Sequence, residues 1–307
     1  MNFRDLEYLI ALEELKHFRK AAEKCFVSQP TLSGQIRKLE NELNVQLTER
    51  SSRKVIFTQA GMDIVTKAKT ILLEMKSLKE IAKSYKEPMQ GTLHIGLIPT
   101  VAPYLLPLII PEIKKNFPDL ELYLHENQTD VLMKQLEEGE LDCLMLALLP
   151  EMEELQQYIL YDEPLELALS ETHELAKGDE VDINKLSGEH LLMLEDGHCL
   201  RDQAMGFCFA AGAIEDNSFK ATSLETLRHM ISADNGLTLF PQLAIPVNRH
   251  QAGINYIPFT KPTPTRTIGL VCRTNSVRKV CFEKLSQLIT SLVNTRLSTY
   301  LPSNNEK

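Results

Sequence analysis

AAEKCFVSQPTLSGQIRKLE, residues 21–40, is the stretch on which the reading of the N-terminal part turns. Phe18, Ala21, Ala22 and Cys25 recur at helical spacing and begin one helix, and Leu32, Ile36, Leu39 and Leu43 line one face of the next. Between them Ser28 precedes Gln29, Pro30 and Thr31, a side-chain oxygen suited to an N-cap followed by a proline tolerated in the first turn. With the apolar face turned inward, Gln29, Thr31, Ser33, Gln35, Arg37 and Lys38 remain for other surfaces. Upstream, Leu6, Leu9, Ile10 and Leu15 mark a preceding amphipathic helix. Two short helices joined by a tight turn, the second opening on polar residues, match the helix-turn-helix, whose second helix enters the DNA major groove. The competing reading is a plain helical bundle with a solvated basic face.

Downstream, LTERSSRKVIFT, residues 47–58, sets a basic turn at Ser51 to Lys54 between β-prone flanks. It reads as a wing in which Arg50, Arg53 and Lys54 neutralise phosphates, which fixes register without reading bases. The candidate contacts of the second helix are Ser28, Gln29, Pro30, Thr31, Ser33, Gln35 and Arg37. From Thr58 a helix is expected to run to about Tyr85, before Pro88 and Gly91. Ile64, Ala68, Ile71, Met75, Leu78, Ala82 and Tyr85 alternate steps of four and three, a coiled-coil-like seam that must be buried on its own domain or on a second copy. Self-association is the preferred reading, because a dimer presents two heads to a near-palindromic site.

Charge separates the same parts. Residues 1–87 carry 16 Lys and Arg against 12 Asp and Glu, and the remainder 17 against 30, so the net −9 conceals a basic head on an acidic body. The N-terminal stretch mixes charges from Arg4 onward and lacks the apolar core of a signal peptide, and no apolar run is long enough to span a bilayer. A cytoplasmic protein without membrane contact is expected. Six cysteines in 307 residues are then no disulfide framework, since cytoplasmic thiols stay reduced unless redox-active. There is no CxxC, HExxH or comparable ligand spacing, so no metal and no cofactor is expected.

Cys199 and Cys208 lie in HCLRDQAMGFC, where Leu200, Ala204, Phe207 and Cys208 repeat at helical spacing and no proline interrupts. Nine helical steps of about 1.5 Å put their Cα atoms roughly 13.5 Å apart on opposite faces. A disulfide needs Cα atoms within about 7 Å, so bonding this pair requires the helix to unwind. Cys25 and Cys143 read as core filler. Cys272 and Cys281 stay open between packed and additional reactive thiols.

After Gly91 the pattern alternates. Strands are expected at Thr92–Leu97, Leu120–His125, Asp142–Leu148, Leu191–Leu194, Gly236–Phe240 and Thr267–Arg273, with helices at Val101–Asn116 and Thr129–Glu138. Such alternation predicts mainly parallel sheets in two lobes around a cleft, with crossovers near residues 161 and 266 and the loops Ile98–Thr100 and Glu126–Thr129 facing the cleft.

The head, through AAEKCFVSQPTLSGQIRKLE, resembles the LysR-type transcriptional regulators. The body segments GLIPTVAPYLLP, LLMLEDGHCLRDQAMGFCF, FKATSLETLRHM and TRTIGLV resemble the peroxide-sensing members of that family. The likeness runs over nearly the whole chain and weakens after about Leu270. It implies an α/β fold made of a winged helix-turn-helix (1–58), a linker and dimerisation helix with hinge (59–90) and a two-lobed periplasmic-binding-protein-like regulatory domain (91–307). Lobe I would take about 91–161 and 266–307, and lobe II about 162–265. The resemblance further implies that peroxide oxidises Cys199, that Cys208 resolves it as a disulfide, and that antioxidant genes respond. Thr100 and Thr129 would hydrogen-bond the peroxide or a water beside Cys199. The implied partners are double-stranded promoter DNA, further copies of the chain as homodimer and homotetramer, RNA polymerase and a thiol-disulfide reductant.

The residue chemistry points the same way. Cys199 at a helix start, with His198 and Arg201 beside it and Arg266 from the other lobe, is expected to have a lowered thiol pKa. Two rival readings stay on the page: a regulator whose cleft binds a small-molecule co-inducer, with the cysteines incidental, and a thiol peroxidase carrying a DNA-binding appendage.

Overall fold

A computed structural model of the chain describes residues 1–49, 55–84, 87–249 and 251–300. The chain divides into two compact units, Met1–Lys86 and Glu87–Lys307. In the first, α1 (Phe3–Leu15) opens on a capping box in which the Asn2 amide donates to Asp5 Oδ2 at 2.8 Å and the Asp5 amide to Asn2 Oδ1 at 3.1 Å. Helices α2 (Phe18–Lys24) and α3 (Gln29–Leu43) follow, with Ser28 Oγ accepting from the Thr31 amide as the sequence predicts. Leu9, Leu12, Ala21, Leu32, Ile36, Leu39 and Leu47 form their common core. Strands β1 (Thr48–Glu49) and β2 (Ile56–Phe57) pair antiparallel as the stem of the expected wing, whose tip, with Arg50, Arg53 and Lys54, lies outside the described residues.

Helix α4 (Gln59–Ser84) packs on α1 through the buried Val65 and Ala68. A Cβ at Gly61 would stand 2.2 Å from the Leu47 carbonyl oxygen, so glycine is what lets α4 approach the wing stem. Farther along, Ile71 and Leu78 are 40% and 68% exposed. Tyr85, the last position of the predicted seam, is outside the described residues.

The second unit is one nine-stranded mixed sheet in the order β4-β3-β5-β11-β6-β9-β7-β8, with β10 on β6. One core gathers β3 (Gly91–Leu97), β4 (Leu120–Glu126) and β5 (Cys143–Ala147) with helices α5 (Ala102–Asn116), α6 (Thr129–Glu137) and α9 (Lys279–Ser298). A second core gathers β7 (His190–Leu194), β8 (Ile214–Ala221), β9 (Leu237–Pro241) and β10 (Ile254–Pro258) with α7 (Cys199–Ala210) and α8 (Leu224–Ser232). β6 (Gln156–Ser170) runs through both, pairing β11 (Thr265–Cys272) up to Pro164 and β9 from Leu165 onward. The expectation of mainly parallel sheets needs correction. β3 pairs β4 and β5 in parallel and β7 pairs β8 and β9 in parallel, but every pairing of β6 and β11 is antiparallel. The chain goes out to the second lobe along one strand and returns along its neighbour. β6 is not expected from the sequence because Pro164 and the carboxylates Asp162, Glu163 and Glu166 break the apolar pattern of a buried strand; Pro164 stands where β6 changes neighbour from β11 to β9. The lobes are also tied by side chains: the Tyr104 hydroxyl donates to Glu225 at 2.9 Å, and Tyr300 donates to the Ile245 carbonyl at 2.7 Å.

Candidate functional site

Thr100 follows β3, Thr129 begins α6 and Cys199 begins α7, so all three sit just beyond the carboxyl ends of parallel strands, where the backbone turns and helix N-termini gather. Each is buried, with exposures of 2%, 8% and 6%. The cation among them is Arg266, directly opposite Glu163 in the β11–β6 register. Its Nε and Nη2 both donate to Glu163 Oε2, at 2.9 and 2.7 Å; Nη1 donates to the Thr100 hydroxyl and a second Nη2 bond goes to the Thr100 carbonyl, each at 2.9 Å. The other Glu163 oxygen accepts from the Leu243 amide at 3.0 Å. Four of the five N–H groups of a buried guanidinium are thereby bonded, which fixes it at the junction of the lobes.

Electrostatics at Cys199 departs from expectation in one respect. Burial raises the thiol pKa above the ordinary 9.0, and this outweighs the Arg266 charge, the Thr129 hydroxyl and the backbone amides of Ala147 and Leu200, all of which favour the thiolate. The positive surroundings lessen the rise without reversing it. Two of the expected contributors act elsewhere. Arg201 turns into the second lobe, bonding Glu215 at 2.6 and 3.1 Å and Asp196 at 3.0 Å, which anchors the first turn of α7 to β8. His198 is 5% exposed, and burial lowers its pKa against the opposing charge of Glu195, so it stands beside Cys199 as a neutral ring. The Thr129 hydroxyl is buried beside the sulfur, and among the described residues it has no hydrogen-bond partner apart from that thiol.

Helix α7 is continuous from Cys199 to Ala210, and both cysteines are free thiols. Cys199 belongs to the core of the first lobe and Cys208, fully buried, to that of the second. Desolvation pushes the Cys208 thiol up to about 12. Of the other thiols, Cys25 is half-buried against the core of the head and the remaining three are packed. Cys272 faces Cys143 across β11 and β5, Cys281 is equally inaccessible, and burial lifts Cys272 and Cys281 to about 11 and Cys143 well above its usual value. In this thiol state Cys272 and Cys281 are packed core side chains, held protonated by their burial.

In the head, Gln29, Pro30, Thr31 and Arg37 are exposed on α3, and Ser33 and Gln35 are half-buried. The Ser28 hydroxyl is engaged as the cap and in a 2.7 Å bond to Thr31 Oγ1. Residues 3–62 match the bacterial regulatory helix-turn-helix protein, lysR family, and residues 86–293 match the LysR substrate binding domain. The chain belongs to the LysR family. Within that family it is 60% identical over 289 residues, 94% of this chain and 95% of the relative, to an Escherichia coli protein described in strain K12 as DNA-binding transcriptional dual regulator OxyR and in strain O6:H1 as hydrogen peroxide-inducible genes activator. Crystal structures of the oxidised and reduced forms of OxyR are 54% and 51% identical to it, each with a TM-score of 0.64, covering 68% of this chain and 99% of theirs.

For a LysR-family chain the pairing of Arg266 with Glu163 was not visible in the sequence, since the two are 103 residues apart and Glu163 lies in a strand that was not predicted. Their opposition in register is the only signal, and it exists only once β6 and β11 are paired. Among the described residues no helix is long and apolar enough to cross a membrane, and no group of three or more His, Cys, Asp and Glu is placed to hold a metal ion.

Proposed function

We propose that this protein is a hydrogen peroxide-sensing, DNA-binding transcription regulator of antioxidant genes, switched by a reversible disulfide between Cys199 and Cys208. The carrying observation is that one unbroken helix holds a cysteine of one lobe at its start and a cysteine of the other lobe's core near its end. The Cys199 thiolate attacks one peroxide oxygen, the O–O bond breaks, and hydroxide leaves to take up a proton as water; the sulfur becomes a sulfenic acid. The Cys208 sulfur then displaces the sulfenic oxygen, which departs as a second water, and a disulfide forms. That step requires α7 to come apart, and the loss of its packing in both cores changes the shape of the regulatory unit.

In this reading Arg266 supports the thiolate charge, while Thr129 and Thr100 orient the peroxide. The Thr100 oxygen already accepts from Arg266, so its own proton is free to donate. His198, neutral and buried, lines the approach. Gln29, Pro30, Thr31, Ser33, Gln35 and Arg37 meet the DNA from α3, Ser28 fixes the start of that helix, and Arg50 and Arg53 hold phosphates from the wing. The chain acts in the cytoplasm as a homodimer and homotetramer, works with RNA polymerase and is reset by a thiol-disulfide reductant. The likeness to OxyR in both redox forms supports this reading. The deciding experiment is footprinting on genomic fragments with and without peroxide, alongside peptide mapping. A Cys199–Cys208 bond together with a changed protected length upholds it; an unchanged footprint overturns it.

Because the Cys199 pKa lies above 9.0, the reactive thiolate is a small fraction at neutral pH and grows as pH rises. In a Cys208→Ser variant the rate of sulfenic acid formation, followed with a dimedone-type trap, is expected to climb about tenfold per pH unit from 6 to 8 without a plateau. A plateau near neutrality would show a depressed pKa instead. The exposed Ile71 and Leu78 of α4 are assigned to self-association. Leu78→Glu should shift sedimentation toward the monomer and weaken DNA binding, while leaving peroxide oxidation of Cys199 intact.

A further inference from the structure

Phe26 is 96% exposed, the most exposed of the large apolar residues in the described chain, and its φ is +56°. Its place explains the angle. Helix α2 ends in a Schellman turn, with the Val27 amide donating to the Ala22 carbonyl at 3.0 Å and the Phe26 amide to the Glu23 carbonyl at 3.1 Å. Phe26 occupies the left-handed position of that motif, where glycine or asparagine normally stands because a Cβ is disfavoured there. A phenylalanine at this point is therefore unfavourable twice over: its backbone is strained and its ring touches almost nothing of its own chain. Neither feature helps the head to fold.

Phe26 stands two residues ahead of Ser28, the cap of α3, in the turn that leads into the exposed Gln29, Pro30 and Thr31. Exposed Lys20, Arg37 and Lys38 belong to the same two helices, in a segment of net positive charge. An apolar plate at the leading edge of a polar, cationic recognition surface fits the one apolar feature of the major groove, the thymine 5-methyl group. We infer that Phe26 is a base-reading residue, packing its ring against a thymine methyl beside the bases met by the start of α3. The inference rests on the DNA-binding reading above and adds to it a specificity determinant of apolar kind, outside the helix itself.

A duplex selected by the wild-type chain from a random-sequence pool is synthesised twice, with thymidine or with deoxyuridine, which lacks the methyl group, at every T. The wild-type protein is expected to bind the uracil duplex about fourfold more weakly for each methyl buried. Phe26→Ala should bind both duplexes alike, and no tighter than the wild type binds the uracil form. The salt dependence should be the same for both proteins, because no phosphate contact is lost. Phe26→Asn should melt no lower than the wild type, since asparagine suits the left-handed position; this separates loss of recognition from loss of fold. Retention of the full thymine preference by Phe26→Ala overturns the inference, as does a change in its sedimentation with unaltered DNA affinity, which would make the ring a contact between copies. A wild-type chain that selects no duplex overturns the DNA reading itself.

Discussion

Cys199→Ser is expected to abolish the response to peroxide completely, leaving a footprint on promoter DNA that is the same with and without oxidant. The reason is positional. Among the six cysteines only Cys199 lies beside a buried cation and a hydroxyl with no other partner; Cys143, Cys208, Cys272 and Cys281 are sealed in cores that keep them protonated, and burial together with Glu7 raises the pKa of the half-buried Cys25 in the head. No other thiol is placed to take over the first step. Serine is close in size, and Thr129 and the helix N-terminus accommodate its oxygen, so the fold and basal DNA binding should survive. Cys208→Ser should behave differently: the sulfenic acid still forms and is trapped chemically, yet no disulfide appears by peptide mapping. An undiminished redox footprint in Cys199→Ser would remove the sensing role from this residue. Equal loss of the sulfenic acid in Cys208→Ser would mean that Cys208 does more than resolve.

Arg266→Met carries the second large effect, on stability as well as chemistry. The side chains of Arg266 and Glu163 are 0% and 1% exposed, and removal of one partner leaves a buried charge without compensation, a loss of about 3–5 kcal/mol. The Thr100 carbonyl and hydroxyl lose donors in the same step. Urea unfolding should show a markedly lower midpoint. The Cys199 thiol, deprived of the charge that offsets its burial, should react more slowly with peroxide at every pH. Adding Glu163→Gln neutralises the stranded carboxylate and keeps an oxygen for the Leu243 amide. The double variant should recover much of the stability and none of the reactivity. Recovery of both would mean that Arg266 acts only as a structural ion pair.

Much of this was legible along the chain. The head followed from apolar spacing, a serine cap and a proline in the first turn, all local signals acting within a few residues. The helix from Cys199 to Ala210 was equally readable, and with it the incompatibility between that helix and a bond between its two cysteines. Strands with apolar runs bounded by turn residues were found close to their observed limits. The strands β6, β8 and β10 escaped: β6 and β10 are set by pairings distant in sequence, β8 is a largely exposed edge strand without an apolar run, and the antiparallel crossing of the lobes escaped with them.

The direction of the Cys199 shift illustrates the division. Sequence places His198 and Arg201 next to the thiol, and adjacency suggests a lowered pKa; side-chain direction sends Arg201 to Glu215, and burial leaves His198 neutral. Charge and desolvation depend on distances through space, which neighbours in sequence do not set. Thus the sequence alone determined the local elements, the basic head and the strain between helix and disulfide, since helix spacing and capping are properties of a few consecutive residues. Only the tertiary structure decided which cation meets the thiol, which thiols are sealed away, and that Cys199 and Cys208 end in different cores, because each of these depends on which distant strands come to lie side by side.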